Sequence, residues 1–359
     1  MSPHPRRDAM ALLACVLVLL GLGTVSAALL YVGLQESRIS RAGADVLRAR
    51  LAAESAVRIA LAMWDTREFR DMAPAEVRAL DAASPAAADR IVVERLAGSL
   101  YRIRAQATAP SGARARAGIV IRTLDIAELW RPFGAAITLR GDLRVDAQAD
   151  VVGLDYGDFA AQWTPDDCPA AAFTDLVRTF GRADLPATRV PDSVAATEPG
   201  ATRIGPLAPT TLADIADHVV TGDLTPAPAY DTGRCDTGVP ANWGAPLAPD
   251  DPCGHFFPLV FAPGDLHVSG GAAQGVLIVA GDLTIDDGAR FYGPVVVAGR
   301  VTIRDTSTIR GALIGSGDVA VHDQARITYD PCAIWRALAR APALNRPFRS
   351  GPRFWVPAF

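Results

Sequence analysis

An eighteen-residue repeat near the C-terminus constrains this chain more than any other feature. GVLIVAGDLTIDDGARFY (275–292), GPVVVAGRVTIRDTSTIR (293–310) and GALIGSGDVAVHDQARIT (311–328) align without gaps. The columns Leu277, Val295, Leu313 and Leu283, Val301, Val319 stay apolar, as do Ile285, Ile303, Val321 and Phe291, Ile309, Ile327. Glycine recurs at 281, 299 and 317. A short fixed period whose apolar residues alternate two by two, with glycine at the corners, is what a β-solenoid requires, because each inward side chain must stack on the same position of the next turn. Gly141-Asp142-Leu143-Arg144-Val145 matches Gly281 to Ile285, and Gly264-Asp265-Leu266-His267-Val268 opens a partial row. The expected fold class is therefore mainly β: a β-helix over 135–341 with eighteen-residue coils, preceded by a long helix and a small antiparallel sheet. Residues 154–258, rich in proline, are expected to be a loop-rich insertion on one face, with short helices around Ala171–Phe180 and Thr211–Val219.

In the first face of each row, Ile278, Val296 and Ile314 break the in/out alternation, since a solvated strand would place polar residues there. This stripe is expected to be covered, by the insertion or by a second subunit. Pro331 to Leu338 reads as an amphipathic turn capping the last coil, and 342–359 as a tail held extended by its prolines, with Phe348, Phe354, Trp355 and Phe359 available for docking or for packing on its own coils.

The N-terminal end sets the compartment. Ala9 to Leu34 carries no charge, and about 20 such residues suffice to cross the hydrocarbon layer of a membrane. Arg6 and Arg7 before it favour a cytoplasmic leader, residues 1–8, with the rest of the chain outside the inner membrane. The rival is a cleavable signal peptide with its small-residue site between Thr24 and Ala28, although the apolar run continues past it. Beyond the run, Ile39, Val46, Leu47, Leu51, Val57, Leu61 and Trp64 recur at helical spacing with no proline among them, which predicts one unbroken helix to about Thr66. Residues 90–126 alternate as strands, broken at Ala97-Gly98 and Pro110-Ser111-Gly112, and place a small sheet within 67–134. Four cysteines outside the membrane run, Cys168, Cys235, Cys253 and Cys332, show neither CxxC nor zinc spacing; two disulfides are expected, Cys235 with Cys253 for their short separation and Cys168 with Cys332. Cys15 lies within the apolar run as a small buried hydrophobe.

Two family resemblances follow from these residues. The Arg-bearing leader, the apolar run from Ala9 and the amphipathic continuation ending in AAESAVRIAL resemble the N-terminal helix of type IV pilins and pseudopilins, especially the PilX-like group. That resemblance implies a structural component of a pilus or secretion assembly, with membrane lipid and other pilins or pseudopilins as partners. Prepilin peptidase substrates carry glycine before the cut and usually glutamate at the fifth mature position; a cut after Asp8 puts Asp8 and Leu13 there. Rows 275–330 resemble bactofilins, the polymerising bacterial β-helical scaffolds.

Chemistry is sparsely signalled. The formal charge of −4 offers no footprint for nucleic acid, and all 35 basic residues are arginine, which excludes Schiff-base and Walker-type lysines. Some β-helices cleave or bind polysaccharide, which makes Asp155, Asp158, Asp166, Asp167, Asp250, Asp251, Asp286 and Asp287 the candidate carboxylates for a glycan ligand. Adjacent acids in proline-rich loops are more often turn formers. His218, His255, His267 and His322 share no metal-ligand spacing, so no catalytic residue, cofactor or metal is assigned.

Overall fold

The computed structural model describes residues 5–80, 88–153, 175–179, 181–185, 194–195 and 209–347. The protein is mainly β, with a long N-terminal apolar helix and several sheets, and it divides into two compact units.

The first unit takes residues up to 63 and 73–121. Its helix, Pro5–Ala62, ends four residues before the expected Thr66. Asp65 stops it by capping a separate short turn, Thr66–Glu68, accepting from the Arg67 amide and guanidinium. Strands Val77–Leu80, Arg90–Ala97, Leu100–Thr108 and Arg114–Arg122 form a four-stranded sheet in that order, and the helix packs on its middle strands. The face it buries keeps Val57 of the expected stripe and is otherwise made of alanines. Ala49, Ala53, Ala56, Val57 and Ala60 are buried, whereas Ile39, Val46, Leu47 and Leu51 are exposed. Small side chains let the helix axis approach Tyr101, Ile103 and Ala105 closely, a contact that a stripe of leucines would hold apart.

The second unit takes 64–72 and 122 onward, and its strands pair in parallel with the period of the repeat. Leu277 pairs with Val295 and Val295 with Leu313; Leu283, Val301 and Val319 follow the same rule, as do Phe291, Ile309 and Ile327. The offset is 18 residues between these rows and 17 between Leu259 and Val276 or Leu266 and Leu283. Two parallel sheets result. One runs in the order 194–195, 175–179, 135–139, 308–315, 290–297, 276–279, 259–262, 218–219, and the other 222–224, 266–269, 283–286, 301–303, 319–321, 143–145, 183–184.

Spatial order therefore departs from chain order at one seam. The C-terminal row docks on the first one: Leu313 pairs with Ile137, Val319 with Leu143 and Ile327 with Val151. The described strands of residues 154–258 extend both sheets at both ends, and Asp175–Thr179 is a strand where a helix was expected; helix Pro209–Ile215 falls near its expected place. The unpaired backbone edge of 135–139 explains the departure, since a strand there satisfies main-chain groups that a helix would leave bare.

A carboxylate at the corner of several rows ties it to the next. Asp282 N–H donates to Asp265 Oδ1 at 2.8 Å and Arg300 N–H to Asp282 Oδ1 at 2.7 Å; across the seam Asp142 N–H donates to Asp318 Oδ1 at 2.9 Å. This is the physical content of the recurring Gly-Asp pair: glycine permits close approach of successive corners, and the carboxylate accepts an amide that turning leaves unpaired.

Candidate functional site

The apolar stripe is the first candidate surface, and it is closed. Ile278, Val296 and Ile314 are 2%, 3% and 1% exposed. For Val296 and Ile314 the cover is neither the insertion nor a second subunit but the chain's own helix Pro331–Arg340, which packs on strands 290–297 and 308–315. The helix starts because Asp330 accepts from the Ala333 amide at 3.0 Å with Pro331 at the first position, a favourable start that also forces the chain out of the strand. It buries Ile334, Ala337 and Leu338, and Trp335 meets Trp130 of helix Ile126–Trp130 edge to face at 5.8 Å. The segment is thus a side cover rather than an end cap. The following residues turn once as Ala343–Asn345 instead of running extended, and Thr66 donates to the Asn345 carbonyl at 2.6 Å. Phe348, Phe354, Trp355 and Phe359 lie outside the described residues.

Of the candidate glycan-binding carboxylates, Asp251, Asp286 and Asp287 serve local structure. Asp251 accepts from Tyr230 Oη and the Cys253 amide, both at 2.7 Å. Asp287 accepts from Ser269 Oγ at 2.6 Å, and Asp286 belongs to a chain of charges across rows. Asp155, Asp158, Asp166 and Asp167 lie outside the described residues. Asp287, Asp305 and Asp323 stack at one edge with Gln148, Thr306 and Gln324 around a shallow open groove. Among the described residues no three His, Cys, Asp or Glu side chains gather to hold a metal ion.

The histidines divide by environment. His218 is buried against Phe256, and that burial depresses its pKa although Asp217 opposes the shift. His255 meets Arg340 at 3.1 Å, and His322 Nδ1 meets Asp146 at 2.7 Å across the seam. His267 bridges two carboxylates, with Nδ1 3.1 Å from Asp223 and Nε2 2.8 Å from Asp286, whose second oxygen accepts from Arg304 at 2.9 Å. His267 shares no metal-ligand spacing with the other histidines, and Asp223 is distant in the chain; only the parallel register of Asp223 with His267 brings the two together.

Cys235 and Cys253 form the expected disulfide, closing a separation of 18 residues. Cys332 is disulfide-bonded as well; Cys168, its expected partner, lies outside the described residues. Around the first bridge, Asn242 Nδ2 donates to the Asp236 carbonyl at 2.7 Å, and Gln274 Nε2 donates to the Gly254 and Phe256 carbonyls at 2.9 Å. These bonds knit the loop to the strands over a fully buried Trp243. A loop of this length implies that Cys253→Ser lowers stability by about 3 kcal/mol, read as a shift in denaturant midpoint at constant slope.

The N-terminal helix is long and apolar enough to cross a membrane: from Cys15 onward its best window has mean hydropathy 2.3 and none of it is buried within the protein. No protein-family model matches the chain, and no curated protein compared with it matches.

Proposed function

We propose that this is a single-pass protein of the inner membrane whose larger unit is a short parallel β-solenoid outside the cytoplasm, carried on a pilin-like stalk as a minor-pilin or pseudopilin-like structural component. The observation that carries the anchor is the apolar part of the N-terminal helix, whose most apolar window is buried by none of the described residues. Parallel pairing at offsets of 17 and 18 residues supports the solenoid reading, since such a period is one turn of a coil and not a crossover helix. A helix laid through its alanines on a four-stranded sheet supports the pilin-like stalk. The Cys235–Cys253 bridge supports an oxidising compartment. A structural role rests on the use to which the polar groups are put: the corner carboxylates, Asp286 and His267 join successive rows.

The intact mass of protein extracted from membranes without reductant tests this. A chain starting at Ala9 is the expected result for a filament component and marks prepilin-type processing despite Asp8. A full-length chain keeps the anchor and moves the reading to a static envelope scaffold. A chain starting beyond Ala28 overturns the anchor. Two disulfides lower the mass by about four protons in each case.

A further inference from the structure

Strand 222–224 is the outermost of its sheet and pairs with 266–269. Four charged groups meet there, Asp223, His267 and Asp286 from three successive strands and Arg304 from the turn after 301–303. The Asp223 side chain is 87% exposed, whereas that of Asp286 is 6% exposed and held by Arg304 as well as by His267. Asp287, beside them, is engaged by Ser269, and Arg304 also faces Asp305 at 3.7 Å.

An ionised carboxylate only accepts hydrogen bonds, and a neutral imidazole carries one N–H. The cation can therefore satisfy Asp223 and Asp286 together, but the neutral ring can satisfy one and turns a lone pair on the other. Asp286 keeps Arg304, so the loss falls on Asp223. We propose that His267 is a proton-operated clasp: charged, it fastens the end strand 222–224 to the stack; neutral, it releases that strand and bares the backbone edge of 266–269. The bond to Asp286 raises the His267 pKa above its ordinary 6.5 against an opposing effect of burial, with Asp223 adding to the rise. A raised pKa means that the stabilisation is complete below the unfolded value and is lost as pH rises through the folded one.

His218, buried on the same end row beside Asp217, gives the opposite sign. Its depressed pKa favours opening as pH falls, so the direction of the change separates the two imidazoles. The test is hydrogen exchange of the full-length protein in detergent micelles, corrected for intrinsic rates, between about pH 5.5 and pH 8.5. Residues 218–224 are expected to open roughly fivefold more often at the alkaline end, the size of a partly exposed ion pair, while 312–321 stay unchanged. His267→Gln and Asp223→Asn should each flatten the profile; Asp223 is exposed, so its replacement leaves the fold intact. A flat wild-type profile, a step of the opposite sign, or a step that survives in either variant overturns the proposal.

Discussion

Replacing Gly293 with alanine is expected to lower the melting temperature of the unit built from 64–72 and 122–347 by about 10 °C. Gly293 has φ +140°, and a Cβ built on it would lie 2.0 Å from the Gly275 carbonyl oxygen in the row beneath. Gly311 repeats the arrangement one row on, with φ +149° and 2.0 Å to the Gly293 oxygen. Two costs add. An L-residue held in that region of φ costs about 1–3 kcal/mol, and the overlap can be relieved only by spreading two hydrogen-bonded backbones, at about 1–3 kcal/mol more. Their sum, near 4 kcal/mol, is a large part of the 5–15 kcal/mol typical of a folded domain. Gly264 is the control: nothing lies within 4 Å of its built Cβ, so Gly264→Ala should change stability by less than about 1 kcal/mol. Calorimetry on the two variants checks the contrast, and equal shifts for Gly293→Ala and Gly264→Ala would refute it.

That contrast also marks what the repeat made legible and what it did not. The residues that pair between 276 and 328 could be written down from the period alone, because parallel rows in register force identical positions to stack. The seam between Leu313 and Ile137 could not, since no periodicity survives a gap of that length and the register is set by the shared Gly-Asp corner. The helix face is legible only in part, for a related reason. Helical spacing finds the large apolar residues, but the sheet selected Ala49, Ala53 and Ala56 for close approach and left Leu47 and Leu51 outside. The His267 cluster was illegible because its members come from strands 222–224, 266–269, 283–286 and the turn after 301–303, which only the stack makes neighbours. Asp175–Thr179 was missed because its short apolar stretch becomes a strand only when the edge of 135–139 is there to receive it.

The second large effect concerns the stripe that closes beneath the C-terminal helix. Val296→Arg is expected to destabilise the larger unit by about 4 kcal/mol or more, because a guanidinium would enter an apolar core at a site 3% exposed, paired with Ile314 and on the strand against which helix 331–340 packs. Truncation from the other side of the same contact, Leu338→Ala, should cost about 2–5 kcal/mol through the cavity it leaves. Since helix 331–340 belongs to the same chain, both losses must be independent of protein concentration, whereas a stripe covered by a second copy would melt at a temperature that rises with concentration. Leu47→Arg supplies the opposite case: that side chain is 56% exposed on the long helix, so the new charge should move the melting temperature by less than about 1 °C. Concentration-dependent melting of wild type, lost in Val296→Arg, would return the stripe to the role of an interface. Concentration-independent melting with a large Val296→Arg effect fixes it as interior, and lateral assembly must then use a surface outside this stripe.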